Sequence, residues 1–162
     1  MASFQLAVGC DHAGLNLKNH LVQWLQSQGH RVNDFGVYTN QSMDYPDIAA
    51  TVAHAVASGD YPRGILICGS GIGVSIAANK VAGIRAVPCQ DIISARLSRQ
   101  HNDTNVLTLG ERLTTSMVAE EIVTVWLETE FQAGRHCQRV EKISALESPL
   151  TSQEINGEVH DA

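Results

Sequence analysis

Paired cysteines are missing from this chain. Cys10, Cys68, Cys89 and Cys137 form no C-x-x-C pair and show no spacing typical of a zinc site or a disulfide framework, so they read as free thiols and no metal is expected. An excess of basic charge is missing too. The net charge of −6 argues against a general nucleic-acid binder, which needs a basic face. The start, Met1-Ala2-Ser3-Phe4-Gln5, lacks the basic segment and apolar run of a secretory signal. No apolar run approaches the roughly 18 residues that span a bilayer. A soluble, cytoplasmic protein with no nucleic-acid or membrane partner is the expectation. Lysine is scarce, with three Lys among the 11 basic residues against eight Arg. The planar fork of Arg suits phosphate or carboxylate, which is compatible with a small anionic ligand, although surface ion pairs account for it equally well.

What is present suffices for one packed domain. The 162 residues are 44% apolar and 17% charged, which places the chain among globular proteins. Short apolar runs alternate with helix-period segments, the mark of βαβ units and a parallel sheet. Strands are predicted at Gln5 to Gly9, Arg31 to Phe35, Gly64 to Cys68, Ile84 to Val87 and Val106 to Leu109. Between them, Leu17, Leu21, Trp24 and Leu25 recur at helical spacing, and Ile48, Val52, Ala55 and Val56 follow Pro46. Further helices are predicted over 74–79 and 92–99, along Val118, Ile122, Val125 and Trp126, and from Arg135 onward. The fold expected is α/β: a three-layer, Rossmann-like, doubly wound domain over 1–147 with a five-stranded parallel sheet and an additional C-terminal helix. Residues 148–162 are polar and aperiodic and read as a tail.

In such sheets ligands sit beyond the carboxyl ends of the strands. Three segments fall there: Cys10-Asp11-His12, the run from Cys68 to Gly73, and Gly110-Glu111-Arg112. Gly69, Gly71 and Gly73 at alternate positions let the backbone expose successive N–H groups ahead of a helix, a nest for phosphate or an oxyanion. A dinucleotide fingerprint fails because Val74 holds the place of its last glycine and the loop follows the third strand, although Asp91 lies at a suitable distance. No P-loop motif occurs. Cys68 is either a buried core cysteine or, beside that nest, a candidate base. Cys10 and Cys89 lack such a loop and read as structural. His101 lies at a helix end, where the dipole favours a cation, so it is either a cap or an acid. Arg135 and Arg139 share one helix face at i and i+4. With Arg112 they would make a phosphate clamp, or they are surface arginines.

Jointly these motifs resemble the type B ribose-5-phosphate isomerases and the related galactose-6-phosphate isomerase subunits. The resemblance runs from about residue 5 to 147. It rests on Gly9-Cys10-Asp11-His12-Ala13-Gly14, Asp44-Tyr45-Pro46, Gly69-Ser70-Gly71-Ile72-Gly73 with Ile76-Ala77-Ala78-Asn79-Lys80, Arg96 to Asp103, and Arg135-His136. It implies an aldose–ketose isomerase without a cofactor, working through an enediolate. Val74 holds the position of the glutamate base of one branch, so the resemblance makes Cys68 the base. Gly69, Ser70, Gly71, Ile72 and Gly73 would stabilise the enediolate oxygen, His101 would open the furanose ring, and Asn102 would bind substrate. Asp11, His12, Tyr45 and His136 would also touch substrate, with Arg112, Arg135 and Arg139 around the phosphate. The resemblance further implies a homodimer with sites between subunits, with a tetramer as a further option. Rival readings are an isomerase of a six-carbon sugar phosphate, such as galactose 6-phosphate or allose 6-phosphate, and a non-catalytic nucleotide- or flavin-binding module.

Overall fold

Five strands whose residues alternate between two apolar faces set the architecture. In a computed structural model that describes residues 3–147, they are β1 (Gln5–Cys10), β2 (Arg31–Asp34), β3 (Arg63–Cys68), β4 (Ala86–Pro88) and β5 (Val106–Gly110). The helices are α1 (Leu15–Ser27), α2 (Tyr45–Ala57), α3 (Ile72–Ala78), α4 (Ile92–Asn102), α5 (Ser116–Glu128) and α6 (Arg135–Ala145). The expected tail, 148–162, lies outside the described residues. Among those residues no helix is long and apolar enough to cross a membrane.

All strands pair in parallel in the order β2-β1-β3-β5-β4. The chain steps outward from β1 to β2 and returns to β3 on the other side of β1, so the switch point lies between β1 and β3. Side chains alternate across the sheet as the strand period requires. Leu6, Val8, Ile65, Ile67, Leu107 and Leu109 meet α1 and α5 in one core layer. Ala7, Leu66, Cys68 and Val106 meet α2 and α3 in the other. Trp126 of α5 is fully buried, and its indole N–H donates to Thr104 Oγ1, which satisfies its one polar group. Truncating a side chain so enclosed costs about 3–5 kcal/mol.

The predicted elements all form, with shifts at their ends. α3 begins at Ile72, ahead of the predicted Val74, because Gly71 takes the left-handed conformation (φ 75°) and turns the chain straight into the helix. β4 starts two residues late: the Arg85 amide donates to Asn105 Oδ1, which draws it away from the ladder. Pro88 ends β4, as an edge strand allows. α4 continues through His101 to Asn102, beyond the predicted Arg99, and Asp103 closes it at φ 46°. Asp91, which suggested a ribose-binding acid by its spacing, is the α4 N-cap: its Oδ1 accepts from the Ile93 and Ser94 amides, and these bonds hold the carboxyl below its ordinary range.

Candidate active site

At the carboxyl end of the sheet, β3 delivers Cys68 into a backbone loop with no slack. A Cβ at Gly71 would lie 2.9 Å from the Leu109 carbonyl carbon, and one at Gly110 would lie 2.6 Å from that of Ser70. The loop therefore presses directly on β5. Thr108 Oγ1 donates to the Gly71 carbonyl at 2.6 Å and ties the two together. Cys68 is 5% exposed, at the border between a core layer and an open cleft of about 330 Å³ that it helps line. Its Sγ accepts the Gly71 N–H at 3.1 Å, so a backbone donor orients the sulfur. Ser70 Oγ accepts from the Ile72 amide at 3.3 Å.

Asp11, His12, Tyr45, Gly69, Ser70, Gly73 and Arg112 line the same cleft. A Cβ on Gly73 would meet the Tyr45 ring at 2.7 Å, and one on Gly69 would meet the Arg112 guanidinium carbon at 3.2 Å. These glycines leave the space in which Tyr45 and Arg112 lie over the loop. Asp11 is buried, and its Oδ1 accepts from the Ala13 amide at 2.9 Å, which caps the short 3-10 turn His12–Gly14. His12 Nδ1 accepts the Met43 amide at 3.3 Å. Glu111, a strand-end candidate by position, is used for structure. Its Oε2 accepts from the Leu17 amide and its Oε1 from Asn16 Nδ2, so it caps the start of α1 from across the sheet.

A second cluster sits elsewhere in the chain. α4 runs back from the carboxyl end of β4 to the amino end of β5, and its 11 residues span roughly 16 Å. His101 and Asn102 in its last turn therefore face the opposite end of the sheet from Cys68. There the His101 ring stacks on that of His136, with centroids 4.4 Å apart and planes 9° apart. His136 is buried. Burial, with His101, Arg135 and Arg139 beside it, holds its ring below the ordinary histidine value. Arg135 and Arg139 are exposed on α6. Within one chain, then, Arg112 belongs to the Cys68 cleft, while Arg135 and Arg139 belong to the histidine pair. The three guanidinium groups do not converge.

Cys10 and Cys89 do not line the cleft onto which Cys68 opens. Both are buried, and burial pushes the Cys10 thiol up to about 12 and raises Cys89 as well. Thr108 is the residue that sequence reasoning passed over, and Gly110 was singled out only as part of the segment Gly110-Glu111-Arg112. One polar side chain inside Val106-Leu107-Thr108-Leu109 was the available signal for the first. The contact of Gly110 with Ser70 has no counterpart in the sequence.

Comparison with known proteins places this geometry. The chain is 52% identical over 143 residues to ribose-5-phosphate isomerase B of Escherichia coli, covering 88% of this chain and 96% of that protein. It is 44% identical to the D-erythrulose-4-phosphate isomerase of Pectobacterium atrosepticum, covering 88% and 94%. The structure of Clostridium thermocellum ribose-5-phosphate isomerase B superposes with a TM-score of 0.87 at 52% identity, covering 88% of this chain and 97% of that one. The family model described as Ribose/Galactose Isomerase matches residues 6–143, nearly every residue of the sheet and its helices. This chain belongs to the ribose/galactose isomerase family.

Proposed function

We propose that this enzyme interconverts D-ribose 5-phosphate and D-ribulose 5-phosphate, with Cys68 as the base that moves a proton between C2 and C1. The reading is carried by one observation: a thiol at the end of a central strand opens into a cleft while the Gly71 amide of the following glycine loop donates to its sulfur. The thiolate removes the C2 proton of the open-chain aldose, and its electron pair becomes the C1–C2 double bond of the enediolate. The developing negative oxygen is met by loop N–H groups between Gly69 and Gly73 and by the Ser70 hydroxyl. A proton passes from O2 to O1 of the enediolate, and return of the thiol proton to C1 then gives the ketose and regenerates the thiolate, so no redox partner enters the balance.

His101 acts earlier. It donates a proton to the furanose ring oxygen as the O1 proton leaves, and it needs a second subunit to reach the sugar. Support for that partner comes from one side of the molecule. Exposed Ile72 and Ile76 on α3, and Ile93 and Leu97 on α4, flank the short edge strand β4. A two-fold axis across this edge brings the amino end of one copy against the carboxyl end of the other. It places His101, Asn102, Arg135, His136 and Arg139 of one subunit over the Cys68 cleft of its partner, with Arg112 already there. A phosphate is then held by arginines of both chains, and a cytoplasmic location belongs to the same proposal because sugar phosphates are kept inside cells.

Two measurements test it. Purified enzyme is assayed on ribose 5-phosphate, on D-erythrulose 4-phosphate and on six-carbon sugar phosphates. A kcat/KM highest for ribose 5-phosphate is expected, and a higher value for another sugar reassigns the substrate. Inactive Cys68→Ala and His101→Ala chains are then unfolded and refolded together. Random pairing makes half the dimers mixed, each with one whole site, so activity returns to about a quarter of wild type. If each site is built from one chain, no activity returns.

A further inference from the structure

Lys18 is the one lysine whose side chain is fully buried among the described residues, and the reaction as derived does not use it. Burying an ammonium is costly unless an anion and good geometry compensate. Here its Nζ lies 2.6 Å from Asp34 Oδ2, and 5.0 Å from the centre of the Tyr38 ring. The ion pair stands at the root of the loop that leads from β2 to Tyr45. Asp34 Oδ1 accepts from the Gly36 amide, and the Tyr38 hydroxyl donates to the Asp34 carbonyl. The same stretch is stitched to the end of β1: the Cys10 amide donates to the Gly36 carbonyl, and the Val37 amide donates to the Cys10 carbonyl. Directly beyond Cys10 come Asp11 and His12, and the far end of the loop returns to His12 through the Met43 amide.

That last contact has a chemical consequence. An imidazole whose Nδ1 accepts a hydrogen bond carries its neutral-form proton on Nε2. His12 lines the cleft, so its remaining nitrogen is a donor for a sugar oxygen. We infer that Lys18 is a positioning residue: paired with Asp34, it holds the 34–43 loop where Met43 fixes His12 as the Nε2–H tautomer, a hydrogen-bond donor toward the substrate. The use of that donor rests on the isomerase reading above. The tautomer does not, since it is a property of the protein without substrate.

The test reads the tautomer directly. Full-length protein labelled with nitrogen-15 is placed at a pH where His12 is neutral. The ring is followed by long-range proton–nitrogen correlation and assigned by comparison with His12→Gln. Wild type is expected to show one form, protonated at Nε2. Lys18→Met, which keeps the apolar stem and removes the charge, is expected to show both tautomers, with kcat/KM for ribose 5-phosphate reduced about tenfold. Asp34→Asn decides by the same spectrum if Lys18→Met does not fold. A wild-type ring protonated at Nδ1 overturns the inference, and so does a folded variant whose His12 stays in the single Nε2–H form. If wild type turns over no sugar phosphate, the isomerase reading fails while the tautomer result still stands or falls by its own spectrum.

Discussion

The two ends of the sheet hold their functional groups by different means. At the carboxyl end, Cys68 is placed by a strand paired on both sides, by a loop in van der Waals contact with β5, and by hydrogen bonds to backbone atoms. At the amino end, the His101 and His136 rings stack, and the exposed Arg135 and Arg139 share one face of α6 with no hydrogen bond among the described residues. The first region is rigid before substrate arrives, which is what an oxyanion site requires. The second consists of long or stacked side chains, which the proposed dimer would complete with a partner surface. On the proposed mechanism, chemistry at a carbon atom falls to the rigid end, and handling of the ring and phosphate to the adaptable one.

Removing the sulfur breaks the comparison at its strongest point. Cys68→Ala is expected to lower kcat about a thousandfold, within the range that loss of a positioned acid–base group causes. Binding of inorganic phosphate should remain, measured by calorimetry, because no arginine is touched. Should turnover persist in a preparation free of wild-type enzyme, the base lies elsewhere and the rigid end is only a binding nest.

The division of labour is sharpened by His101→Asn. Turnover of ribose 5-phosphate should fall about a hundredfold, the scale of a lost proton donor. Ribulose 5-phosphate has no ring to open, so exchange of deuterium from solvent into its C1 position should be affected much less. Equal losses in both assays would move His101 from ring opening to the proton transfer at carbon, and the two ends would no longer differ in role.

The two regions were also unequally legible. The apolar run from Gly64 to Cys68 and the alternate glycines after it announce a central strand and an anion-binding turn, because period-two apolar patterning and glycine spacing are local signals. The places of His101 and Arg135 at helix ends were equally readable, although α4 runs past the predicted Arg99 to take in Asn102. Their separation from Cys68 was not, since it depends on α4 crossing the height of the sheet, and Arg112 could be grouped with Arg135 and Arg139 only by type. Glu111 shows the same limit. Beside Arg112 it reads as a site residue, yet its carboxylate caps a helix 94 positions away in the chain. Tyr45 over Gly73 and Ser70 against Gly110 are likewise long-range contacts that no local pattern carries.

A smaller effect is expected at the α6 arginines. Arg139→Ala should raise KM for ribose 5-phosphate about tenfold with kcat little changed, because a phosphate contact persists in ground and transition states alike. Arg139→Lys should recover only part of the loss, since it keeps the charge but not the planar fork. A kcat effect without a KM effect would remove Arg139 from the phosphate site and leave it a surface arginine.

The smallest effect tests whether His136 is held in the amino-end stack as a neutral ring. His136 titrates below its ordinary value of 6.5 in the fold, chiefly because burial penalises its cation, with His101, Arg135 and Arg139 adding like charge. The unfolded chain therefore binds a proton more readily than the native one. The neutral ring's contribution to stability is complete above 6.5 and is lost as pH falls from there through the lower folded value. His30 is lowered as well, again chiefly by burial, and acts in the same direction. Urea midpoints taken at pH 7.5 and at pH 5, at one fixed chain concentration, are expected to fall with acidity in wild type. His136→Phe keeps an aromatic face against His101 but cannot take up a proton, so it should show a shallower fall, with the His30 share remaining. Equal falls for both proteins would mean that the amino end tolerates a charged His136 ring, and that His136 is held there by packing alone.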